Sequence, residues 1–127
     1  MFTSRIAAGE KLAEKVSQLS DDSTIILGLP RGGVVVAAVV SQKLGKPLDV
    51  LPVKKLGLPA NPELALGALA PDNVSYIHWR SANTLGVDEA HMNTLIEEKS
   101  KEVKEQERIL RRGRKEIKVR DRTVIII

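Results

Sequence analysis

A chain of 127 residues with 43% hydrophobic content is long enough for one buried core and too apolar to be disordered. The absence of cysteine excludes disulfides and thiolate metal sites, and Phe2, Tyr76 and Trp79 are too few aromatics to grip single-stranded nucleic acid by base stacking. The net charge of +4 comes wholly from residues 97–122, with 11 Lys/Arg and 7 Asp/Glu against 9 and 9 elsewhere.

In chain order, Ile6, Leu12, Ala13, Val16 and Leu19 keep helical spacing with Ser4 as N-cap, which predicts a helix over 5–19. Asp21-Asp22-Ser23 is a turn that ends this helix rather than a Mg2+ site. Thr24 to Gly28 is short, apolar and β-branched, a buried strand. Val34 to Leu44 has strand composition, but Val36, Val39, Val40 and Leu44 keep i,i+3/i+4 spacing, so a helix is expected. It would close on Gly45 and lead into a strand over Leu48–Val53, completing a βαβ unit of a parallel sheet.

Residues 54–86 are rich in Pro, Gly and Asn. Two short strands, Glu63–Leu69 and Val74–Trp79, joined by "APDN", read as an antiparallel excursion from the main sheet. One long helix follows from Asp88 to about Arg112, with Met92, Ile96, Val103 and Leu110 as a narrow apolar seam. That seam is expected to pack on the domain or on a second copy in a homodimer. Its charges are expected to pair at i,i+4, as in Glu97/Lys101, Lys101/Glu105 and Glu107/Arg111. This reading disfavours nucleic acid as the partner, although a basic segment is also what a nucleic-acid binder would carry. Thr123 to Ile127 is a final apolar strand. His78 and His91 are 13 residues apart without a carboxylate pattern, so no metal site is read from the chain. His78 is expected to alternate with Ile77 in its strand, and His91 to lie on the surface of the first helical turn. No apolar run is long enough to span a bilayer, no leader is apparent, and the expected setting is the cytoplasm.

The stretch "ILGLPRGGVVVA" places proline, a cation and two glycines at the carboxyl end of a parallel strand, where open α/β sheets bind ligands. Glycine amides and the free N–H groups of the next helix can cradle an anion, and Arg31 adds planar donors suited to phosphate. The loop is neither a P-loop nor a dinucleotide fingerprint. Spacing alone leaves a phosphate or pyrophosphate site and a plain tight turn with a surface arginine both open.

"LPRGG" after an apolar strand, then "VKKLGLPANPELALGALA", then "ERILRRGRKEIKVRDRTVIII", resembles the type I phosphoribosyltransferase family, and "RIAAGEKLA" near the start extends the likeness over nearly the whole chain. The resemblance implies a single α/β domain with a Rossmann-like parallel sheet, its core over 1–53 and 87–127, and a hood over 54–86. It implies that Pro30, Arg31, Gly32 and Gly33 bind the pyrophosphate of phosphoribosyl pyrophosphate (PRPP), with a cis peptide at Arg31–Gly32. Lys54 and Lys55 would point toward the same group, and Asn61, Glu63 and Gly67 would belong to the hood over the acceptor base. The residues themselves also allow Glu63 simply to cap a turn. The implied reaction is attack of a nitrogen nucleophile on C1 of PRPP, with pyrophosphate leaving alongside Mg2+. No general base stands out.

In that family two acidic residues and a Gly/Thr-rich loop for the ribose 5-phosphate follow the strand matching Thr123–Ile127, and this sequence stops before them. The expectation is a C-terminally incomplete domain, inactive in isolation. Two other readings are a PRPP- or nucleotide-sensing regulator on the same fold and a basic nucleic-acid-binding protein.

Overall fold

The computed structural model describes residues 1–127. Two compact units make up the chain, one from Met1–Leu51 with Arg111–Ile127 and the other from Pro52–Leu110.

The first unit is α/β. Helix α1 (Arg5–Val16) is capped by Ser4, whose hydroxyl accepts the Ala7 amide at 3.0 Å, and ends in a short 3-10 turn over Ser17–Leu19. Strand β1 (Ile25–Gly28) is buried at all four positions, as its unbroken apolar run demands. Helix α2 (Gly32–Leu44) forms despite its valines, and Gly45 stops it with a left-handed φ of 63°. Helical geometry wins here because β1 and β2 (Leu48–Val50) pair in parallel and need a crossover between them. Strand β6 (Val124–Ile126) pairs in parallel with the other edge of β1, giving the order β2-β1-β6. Ala13 of α1, Ala37 and Val40 of α2, and Ile26 of β1 form the core, joined by Leu48, Ile125 and Ile127.

The second unit is an antiparallel meander with helices. Strand β3 (Lys54–Leu58) pairs with β4 (Asn61–Leu69), which pairs with β5 (Ser75–Ile77). Helices α3 (Trp79–Thr84) and α4 (Glu89–Arg111) follow. Leu56, Leu66 and Leu69 of the sheet are buried with Ala82, Val87, Met92 and Val103.

The seam residues Met92 and Val103 of α4 are buried with the antiparallel sheet. Two expectations change. Strand β3 is an addition, since Gly57 and its flanking prolines read as loop, but pairing with β4 satisfies its backbone, with register shifts on both sides of Gly57. The strand expected through Trp79 ends at Ile77, because His78 caps α3: its Nδ1 lies 3.3 Å from the Ser81 amide and 2.7 Å from the Ser81 hydroxyl. No helix is long and apolar enough to cross a membrane.

Candidate functional site

The loop Leu29–Pro30–Arg31 leaves the carboxyl end of the central strand β1 and enters α2 at Gly32. Its ends are fixed by the sheet. The Leu29 amide donates to the Ile127 carbonyl at 2.7 Å, and the Leu51 amide donates to the Gly28 carbonyl at 2.9 Å. Arg31 is exposed, already has helical torsions (φ −94°, ψ −40°), and forms no ion pair. The cis peptide is Pro30–Arg31, one bond earlier than the expected Arg31–Gly32. The Gly32 and Gly33 amides lie in the first turn of α2, where a helix offers them no carbonyl. No acidic residue occupies that turn.

The two glycines serve different ends. A Cβ on Gly33 would lie 2.6 Å from the Ile127 carbonyl oxygen, so this glycine is needed for close packing of the loop on the end of β6. A Cβ on Gly32 would instead meet a guanidinium, with Arg5 Nε at 3.3 Å and Nη2 at 3.5 Å. Arg5 was not among the residues singled out from the sequence. It lies 27 positions before Gly32, which left no local signal.

The other expected residues lie in the antiparallel unit. Lys54 and Lys55 open β3, and Glu63 on β4 holds Lys55 at 3.2 Å. These three line an open groove of about 550 Å³ that also includes Leu95 and Lys99 of α4. Asn61 opens β4 opposite Leu58, and Gly67 sits mid-strand with the Tyr76 backbone over it, where a side chain has no room. Gly67 thus has a packing reason of its own. His91 accompanies Asp88, which accepts the His91 amide at 2.9 Å and lies 2.6 Å from its Nδ1. These bonds, the amide's first, hold the Asp88 carboxyl below its ordinary value. No group of three or more His, Cys, Asp or Glu side chains is placed to hold a metal ion.

The basic segment spends several of its charges. Lys99 pairs with Glu102 at 2.9 Å, and Arg108 makes two bonds to Glu105 at 2.6 and 3.0 Å. These are i,i+3 pairs. Lys101 pairs with neither Glu97 nor Glu105, the latter being taken by Arg108. Arg111 reaches Asp49 on β2 at 3.1 Å, with side chains 13% and 8% exposed. The Ile117 and Val50 amides also donate to Asp49, at 2.9 and 2.8 Å. Burial pushes the Asp49 carboxyl up, but the Ile117 amide, Arg111 and the Val50 amide together outweigh it, so its pKa lies below the ordinary value. An acid in the middle of an apolar strand was the only sequence sign of this site.

No family model matches the chain. The crystal structure of TT1426 from Thermus thermophilus superposes with a TM-score of 0.82 at 34% identity, over 98% of this chain and 59% of that one. The sequence is also 39% identical, over all 127 residues, to proteins from two Mycobacterium tuberculosis strains, CDC 1551 / Oshkosh and ATCC 25618 / H37Rv, each named "Putative phosphoribosyl transferase". The chain spans 29% of the length of these curated relatives, and along that span it is similar to phosphoribosyl transferases by name and to TT1426 by fold.

Proposed function

We propose that the β1–α2 loop binds the diphosphate of a phosphoribosyl donor, and that the chain contributes this half of a phosphoribosyl transfer site. The observation that carries the proposal is an arginine without an ion pair at a glycine-opened helix start, on the carboxyl end of the central parallel strand. The likeness to proteins named phosphoribosyl transferase gives the reaction class.

In this reading a nitrogen of the acceptor forms a bond to C1 of the ribose as the C1–oxygen bond to diphosphate breaks. The electron pair of that bond leaves on the diphosphate. Arg31 and the Gly32 and Gly33 amides stabilise the charge that develops there, which is the form of catalysis fixed donors provide best. The residues present do not make a Mg2+ site of their own, so the ion that the resemblance implies would arrive with the diphosphate oxygens.

Calorimetry with pyrophosphate tests the loop. Arg31→Ala is expected to weaken binding by about 1.5–3 kcal/mol, roughly tenfold to a hundredfold. Equal affinity of the wild type and Arg31→Ala would refute the proposal.

A further inference from the structure

Arg5 is the first residue of α1 and Arg31 immediately precedes α2. The contact of Gly9 with Val39 and that of Gly32 with Arg5 mean that the two helices run in the same direction, with both N-termini at one end. At Gly9 a Cβ would lie 2.6 Å from the Val39 Cβ, so the missing side chain is what lets α1 approach α2 so closely. Arg5 lies about one turn before Gly9 and is thereby held over the start of α2. Its guanidinium lies against Gly32, the one face of that residue a side chain would fill.

This arrangement is electrostatically unfavourable as it stands. A helix N-terminus carries partial positive charge and favours acids. Here neither helix has an acid in its first turn, and the residues supplied are two arginines, neither of them in an ion pair. An anion bound at these helix starts would offset that positive charge.

We propose that Arg5 is the second cation of the diphosphate site, and that Arg5 and Arg31 together select a diphosphate over a monophosphate. The inference rests on the diphosphate reading of the loop. One planar guanidinium can satisfy a single phosphoryl group with paired donors, and two phosphoryl groups call for two.

The test is titration of the 127-residue chain with pyrophosphate and separately with orthophosphate, for wild type, Arg31→Ala, Arg5→Gln and Arg5→Lys, with thermal melting of each. Arg5→Gln is expected to lose at least about tenfold in pyrophosphate affinity and much less in orthophosphate affinity. Arg5→Lys should fall between it and wild type. Without ligand, Arg5→Gln should melt no lower than wild type, since it removes a cation from a positive helix end. If Arg31→Ala loses pyrophosphate while Arg5→Gln keeps it, the role of Arg5 is refuted and the loop reading survives. A lower melting temperature for Arg5→Gln with unchanged affinity would refute it equally. If wild type binds no pyrophosphate, both fall.

Discussion

In the parallel unit two aspartates join the apolar core in tying distant segments together, whereas the antiparallel unit has no such acid and relies on apolar side chains. Asp49 on β2 collects Arg111 and the Ile117 amide, 62 and 68 positions away. Asp21, before β1, accepts the Ser23 amide and hydroxyl, the Thr24 hydroxyl and, at 2.6 Å, the hydroxyl of Thr123 at the start of β6. The antiparallel unit has no buried charged residue, and its core is Leu56, Leu66, Leu69, Met92 and their neighbours. Its ion pairs, such as Lys55–Glu63, are on the surface. The difference follows from connectivity. A meander joins successive strands by tight turns, so leucines that are close in sequence find each other. A parallel sheet joins strands from opposite ends of the chain, and directional bonds fix which distant segment docks where.

The largest effect that would sharpen this comparison is expected from Asp49→Ala. It leaves Arg111 and the Ile117 amide without their shared acceptor in a site that is mostly dry, and should cost about 3 kcal/mol in urea-induced unfolding. A loss below about 1 kcal/mol would mean that the ion pair is no more than a surface contact.

Next comes acid. The hydroxyl of Thr123, then those around Ser23, hold the Asp21 carboxyl down at about 2, from an ordinary value of 3.8. A carboxyl lowered in the folded state contributes stability that is full above its ordinary pKa and is lost as pH falls toward the folded one. The melting temperature of Asp21→Asn should therefore lie below that of wild type at pH 5, and the gap should close between about pH 4 and pH 2. A gap that does not change with pH would show that the Asp21 bonds do not depend on its charge.

The smallest effect is expected from Lys55→Ala in the antiparallel unit. Its partner Glu63 has a side chain 91% exposed, so removing the pair should change stability by less than about 1 kcal/mol. A larger loss would break the contrast, since it would give the antiparallel unit an ionic support as well.

Some of this was legible from residue order. The run Thr24–Gly28, the helical spacing of Val36, Val39, Val40 and Leu44, and the glycine stop at Gly45 correspond to β1 and α2 within a few residues. The seam on α4 was legible too, through Met92 and Val103. Strand β3 was not, because "KKLGL" has neither alternation nor β-branched residues, and only its partner β4 makes it a strand. Helix α3 was hidden because its cap is a histidine, which periodicity alone does not distinguish from a strand residue.

By itself the sequence determined the strand–loop–helix unit and the loop "LPRGG", because a short apolar run, a proline and paired glycines constrain the backbone over a few residues. The tertiary structure alone decided that Gly33 packs on Ile127, that Gly32 meets Arg5, and that Asp49 takes Arg111 and Ile117. Each of these joins segments far apart in the chain, and which of many possible partners is met depends on how strands and helices pack, not on local preference.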